Sequence, residues 1–215
     1  MRSPSLAILA AALLSAVAAP ASAATKIYDL KGFDRIDASA GVTVVLAQGP
    51  FAVRAEEASG DFDQLRIEVR GSTLVVSRTS SLGFFWFWPA ANRHYTVTIA
   101  APAYNGVSAS SGSSVSGQIA PADLDLSASS GAALRLSGTC GALRASASSG
   151  AHLDGADLHC RTADLEASSG GNISVWADSR VQGDASSGAR IVVRGKPASV
   201  TSRQSSGGRL QIDPA

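Results

Sequence analysis

From residue 105 onward, small and aliphatic residues recur in a fixed frame. Ser-Ser-Gly stands at Ser110-Ser111-Gly112, Ser129-Ser130-Gly131, Ser148-Ser149-Gly150, Ser168-Ser169-Gly170, Ser186-Ser187-Gly188 and Ser205-Ser206-Gly207, with glycines 19, 19, 20, 18 and 19 residues apart. Three residues after each Gly comes an aliphatic side chain: Val115, Leu134, Leu153, Ile173, Ile191 and Leu210. Three before it stand Ala109, Ala128, Ala147, Ala167, Ala185 and Gln204, and seven before it Asn105, Leu124, Leu143, Ala163, Val181 and Val200. These offsets share one parity, as strands with side chains alternating between two faces require. A helical repeat would need about ten residues at a 3.6 period, and a propeller blade about 40 residues. One coil of a parallel β-solenoid fits the period. Its short strands stack about 4.8 Å apart on those of the next coil, so equivalent aliphatic residues merge into an inner ladder. The Gly suits a bend with positive φ, and the serines suit a turn whose backbone groups they satisfy.

An imperfect seventh copy lies upstream at Ala38-Ser39-Ala40-Gly41, with Ile36 before it and Val44 and Leu46 after it, so the coil pattern begins near residue 33. Residues 50–100 interrupt the repeat. Leu65, Ile67 and Val69 alternate, Gly71-Ser72 reads as a turn, and Leu74 and Val76 return, which predicts an antiparallel hairpin. Tyr95, Val97 and Ile99 predict a further strand ended by Pro102. The expected fold is therefore all-β: a parallel β-solenoid of about 19-residue coils over 101–215, preceded by a β section with antiparallel pairing over 24–100. The two form one continuous domain, 24–215. Residues 1–23 read as an export signal, with Arg2, an apolar run over 6–19 and Ala21-Ser22-Ala23 before the expected cleavage at Ala24. The run is too short to span a membrane and no later segment qualifies, so a periplasmic, cell-surface or extracellular location is expected.

Charge sharpens the picture mainly by exclusion. Lys and Arg number 18 and Asp and Glu 17, a net charge of +1 that supplies no field for gripping a nucleic-acid backbone. The excess lies in 33 Ser and 21 Gly. Abundant Val, Leu and Ile at ordered spacing argue against disorder. The two cysteines are informative for an exported chain. Cys140 lies nine residues after Gly131 and Cys160 ten after Gly150, nearly the same station on adjacent coils, which predicts a disulfide.

No complete catalytic constellation is visible. A serine nucleophile needs a His and an acid, and no His holds a fixed offset from the six Ser-Ser pairs. His94, His152 and His159 lack metal-ligand spacing, and no phosphate-binding or dinucleotide fingerprint is present, so neither metal nor cofactor is expected. Asp125 and Asp164 share an offset two coils apart with Arg144 between them, which reads as an outward charge ladder rather than a hydrolase acid pair. Two features point to binding. Two residues after each Gly runs an outward row of Ser114, Ala133, His152, Asn172, Arg190 and Arg209, whose regular polar side chains suit a repeating polymer. Phe84, Phe85, Trp86, Phe87 and Trp88 are flanked by turn-forming residues and cannot all face one core, so one set caps the solenoid or meets a ligand.

The segments "FDRIDASAGVTVVLAQG", "LRIEVRGSTLVVSR", "YTVTIAAP" and the serial "SASSGAALRLSG" units resemble, in order and period, the bacterial putative auto-transporter adhesin, head GIN domain family over residues 27–212. The resemblance implies an exported β-helical, adhesin-like domain without an established catalytic site. The FFWFWP segment departs from that pattern. The expected function is non-enzymatic recognition of an envelope polymer or surface protein. An envelope polysaccharide-degrading enzyme and a structural or partner-docking protein are the alternatives, and the sequence leaves oligomeric state open.

Overall fold

The computed structural model describes residues 23–79 and 94–213, so the expected export signal and the aromatic run at 84–88 lie outside the described residues. Every regular element among the described residues is a strand: β1 (Ala24–Tyr28), β2 (Arg35–Ala38), β3 (Thr43–Gln48), β4 (Ala52–Glu57), β5 (Leu65–Arg70), β6 (Thr73–Arg78), β7 (Thr96–Ala101), β8 (Gly106–Ala109), β9 (Ser114–Ile119), β10 (Asp123–Ala128), β11 (Ala133–Ala147), β12 (His152–Ala167), β13 (Asn172–Ala185), β14 (Arg190–Arg194), β15 (Ser199–Gln204) and β16 (Arg209–Asp213). They form one continuous 16-stranded sheet wound into a two-faced solenoid. One face stacks β5, β6, β2, β8, β10, the second halves of β11, β12 and β13, and β15. The other stacks β1, β4, β7, β3, β9, the first halves of the same three strands, β14 and β16.

The expected inner ladders are the core. Val115, Leu134, Leu153, Ile173 and Ile191 are buried, as are Leu124, Leu143, Ala163 and Val181. The frame loosens at both ends of the repeat: Asn105 is exposed, and Val200 on the terminal coil is 42% exposed. Parallel stacking is not confined to the chain after residue 100. β2 and β3 lie directly on β8 and β9, and β6 and β7 lie on their other side. Residues 49–105 are thus an insertion: its β6 and β7 build the first parallel rung, and its β4 and β5 form, with β1, the expected antiparallel section. Among the described residues, antiparallel pairing is limited to the β5–β6 hairpin and to β4 between β1 and β7, and it finishes this end of the solenoid. Tyr104 is buried beside it, its hydroxyl 2.8 Å from the Ala47 carbonyl oxygen, and burial pushes its phenol up to about 12. In the adjoining loop the Ser59 hydroxyl and nearby backbone N–H groups hold the buried Glu57 carboxyl below the usual carboxylate range.

The Ser-Ser-Gly units are seven stacked type I′ turns once the upstream copy is counted. The second residue and the Gly both have positive φ: Ala40 and Gly41, Ser111 and Gly112, and so on to Ser206 and Gly207. In each repeat the first Ser carbonyl accepts from the residue after the Gly, as between Ser148 and Ala151 at 3.0 Å. The Gly N–H reaches the next coil, as from Gly131 to the Ser149 carbonyl at 3.1 Å. The backbone therefore holds the turn column. The hydroxyl role expected of the serines falls instead to Ser113, whose Oγ bonds the Ser110 and Ala38 carbonyl oxygens.

Serine gains nothing from the left-handed conformation, whereas Asn tolerates it at the first central position of such turns. Ser149→Asn is expected to raise stability by about 0.5–1 kcal/mol. Chemical denaturation measures this, and a loss of stability would show that the column selects small side chains.

Candidate functional site

A groove of about 570 Å³ lies on the β2–β8–β10 face, running along the solenoid axis. Two outward rows build it. Because each strand stacks in register, Arg35, Gly106, Asp125, Arg144, Asp164 and Gln182 occupy successive rungs. Two residues earlier on the same strands, Asp123, Ala142, Thr162 and Arg180 form the second row. Six rungs at strand spacing give a length of roughly 24 Å. The small Ala142 and the inward-facing Leu124, Leu143 and Ala163 keep the floor low between polar walls.

Its electrostatics are balanced and position-specific. Arg35 Nη2 reaches across the intervening coil to Asp125 Oδ2 at 2.8 Å. It lies over Gly106, where an added Cβ would sit 2.8 Å from Arg35 Nη1, so the glycine makes this contact possible. Both side chains remain nearly half-exposed, so the pair fixes geometry and adds only about 0–1 kcal/mol. At one end Asn105 Nδ2 donates to Asp34 Oδ2 at 2.7 Å. Arg144, Asp164 and Arg180 make no ion pair among the described residues and present a cation, an anion and a cation along the groove. The charged lining (Arg35, Arg144 and Arg180 against Asp123, Asp125 and Asp164) is neutral overall.

The row expected two residues after each Gly is also assembled. Ser114, Ala133, His152, Asn172, Arg190 and Arg209 stand on consecutive rungs of the opposite face. On that face a depression of about 170 Å³ is lined by His152, Asn172 and Arg190 among others. Arg190 and Arg209 are direct neighbours across two strands, and Arg190 Nη2 lies 3.4 Å from Gln211 Oε1. In the adjacent row Arg135 and Asp154 pair at 3.2 Å. Cys140 and Cys160 are joined as expected, with Cα atoms 4.4 Å apart at the corner between the faces. Beside them His159 stacks on Trp176 with ring centroids 4.5 Å apart. Among the described residues no group of three or more His, Cys, Asp or Glu side chains converges as a metal site.

Sequence reasoning found the Asp125–Arg144–Asp164 ladder but not the groove around it. Arg35 and Asn105 lie outside the clean repeat, and Arg35 meets Asp125 across 90 residues of chain. Aligning the upstream copy as a stacked rung, with Arg35 six residues before Gly41, would have placed Arg35 in the same row.

No curated protein matches the chain. Among solved structures, a crystal structure of a "putative adhesin" from Bacteroides fragilis superposes with a TM-score of 0.66 at 17% identity, covering 90% of this chain and 97% of that one. Two more described as "putative adhesin", from Parabacteroides merdae and Parabacteroides distasonis, give TM-scores of 0.52 and 0.50 at 10% and 13% identity. Each covers 90% of this chain, and the shared lengths are 97% and 98% of theirs. At these identities the likeness is one of fold. The sequence itself goes further: the model of the family described as "Putative auto-transporter adhesin, head GIN domain" matches residues 32–197, and the chain belongs to that family.

Proposed function

We propose that the protein is an exported, non-enzymatic recognition module that holds a neutral, hydroxyl-rich linear polymer of the cell envelope in its axial groove. The observation that carries this reading is the pair of in-register rows along roughly 24 Å, in which Asp125, Arg144 and Asp164 alternate on consecutive rungs and Arg35, Gln182, Asp123, Thr162 and Arg180 add further donors and acceptors. A lining without net charge favours a polyhydroxyl chain such as a glycan over a polyanion. The family and the Cys140–Cys160 disulfide support an exported setting. The aromatic run at 84–88 belongs to the same proposal. It joins β6 to β7, and its rings suit stacking on sugar faces.

A hydrolase reading is less well served. Asp125 and Asp164 stand two rungs apart, at the wide limit for a carboxyl pair, but Asp125 is engaged by Arg35 and Arg144 stands between them.

The test is retention on a panel of neutral glycans (dextran, laminarin, cello- and chito-oligosaccharides). The parent is expected to bind at least one without releasing reducing ends. Arg144→Ala with Asp164→Ala is expected to weaken that binding by about tenfold or more, since two charge-assisted hydrogen-bonding sites are lost. Unchanged retention, or release of reducing ends by the parent, overturns the proposal.

A further inference from the structure

The two ends of the solenoid are finished differently. At one, antiparallel strands cover the first rung, with β1 (paired only with β4) and β5 (paired only with β6) as its edges among the described residues. At the other, β15 pairs only with β13 and β16 only with β14 among the described residues, so both last strands present a free edge. All of β15 is exposed, Val200 is 42% exposed, and Leu210 and Ile212 are only partly covered by the core they extend. Open edges with apolar inner faces are templates for strand addition.

The hydrogen bonds already made fix which groups are free. Arg209 N–H donates to the Ala189 carbonyl, so Arg209, Gln211 and Asp213 turn their backbone groups towards β14. Those of Leu210 and Ile212 therefore point to the open edge. On the other face Ser205 N–H donates to Ala185, which leaves the groups of Val200 and Ser202 pointing outward.

We propose that this end binds the same end of a second copy through a two-fold axis, with β16 antiparallel to its counterpart and centred on Gln211. In that register Leu210 and Ile212 of opposite copies face each other with their free backbone groups aligned, and each pair exchanges both N–H···O bonds. Gln211 meets Gln211, and each Arg209 meets an Asp213. The strand is thus complementary to itself in charge as well as in hydrogen bonding. Arg209 gains a counter-charge where its neighbour within the chain is another cation, Arg190. The same axis serves the second edge. Leu210 reaches across the core onto Gly183, the rung partner of Ser202, so Thr201 stands opposite Gln211. Centring β15 on Thr201 aligns Val200 with Ser202 of the other copy, again the residues whose backbone groups are free. A closed two-fold contact covers both edges and stops at two copies.

This inference is independent of the groove. Sedimentation equilibrium of the full chain is expected to show a monomer–dimer equilibrium. Asp213→Arg replaces two opposite-charge pairs by like-charge ones and is expected to weaken dimerisation by about tenfold, while Asp213→Arg combined with Arg209→Asp restores it. Because the two native cysteines are engaged with each other, Gln211→Cys supplies a single thiol on the axis. It is expected to give a disulfide-linked dimer on non-reducing electrophoresis. Sedimentation as a monomer at all concentrations overturns the proposal. So does a dimer that Gln211→Cys does not cross-link, or one that Asp213→Arg leaves unchanged.

Discussion

Gly138→Ala is expected to lower stability by about 4 kcal/mol and the melting temperature by roughly 10 °C. Gly138 turns β11 from one face of the solenoid to the other, with φ at +120°, a region that side-chain-bearing residues scarcely enter. A Cβ there would stand 2.0 Å from the Ile119 carbonyl oxygen. Ile119 is its rung partner, held in the β9–β11 ladder, so the obstacle is backbone that cannot move without opening the strand pair. Strain and overlap therefore add. Gly131→Ala isolates the first of these. Its φ is +70°, nothing lies within 4 Å of the added methyl, and about 1 kcal/mol is expected. Thermal and urea unfolding of both variants measure the difference. If Gly138→Ala melts with Gly131→Ala, the corner does not approach its neighbouring coil as described.

The contrast between these glycines also explains what the sequence could and could not reveal. Gly131 is one of a series because every coil needs the same turn, and a shared requirement leaves a period in the chain. Gly138 is imposed by the corner, where coils differ in length and the register shifts between Arg135 and Ser137 on one pair and between Gly155 and His159 on the next. A requirement met differently on each coil leaves no period. The inner ladders were legible for the first reason, the hairpin through its own alternation about Gly71-Ser72, and the cysteines through their distances from the periodic glycines. The groove was legible only in its middle, at Asp125, Arg144 and Asp164. Its upstream wall comes from Arg35, which the 49–105 insertion separates from the repeat, and its second row stands one residue before the offset that carries aliphatic side chains. Outward positions tolerate many residue types, so they show no regular chemistry until strand register places them side by side.

Cys140→Ala with Cys160→Ala is expected to lower stability by about 3 kcal/mol, chiefly by releasing the unfolded chain from a closed loop. The bridge spans a sequence separation of 20 and joins adjacent rungs at the same irregular corner. Its place in the ladder gives it a second role. On β12 and β13 the register shifts again between Cys160 and Thr162, so the corners of successive coils do not all stack in one register. A slip of one residue there would turn Leu143, Ala145, Leu165 and their neighbours from core to solvent. The covalent tie between Cys140 and Cys160 forbids that slip. Both positions are buried, and alanine is close to cysteine in size, so a cavity adds little to the loss. The parent under reducing conditions should therefore melt with the double variant, and reductant should not move the variant further. Hydrogen exchange should rise first in the corner segments 137–142 and 156–162, ahead of the turn column. A double variant that melts with the oxidised parent would show that the strands alone hold the register, and that the bridge forms between coils already fixed.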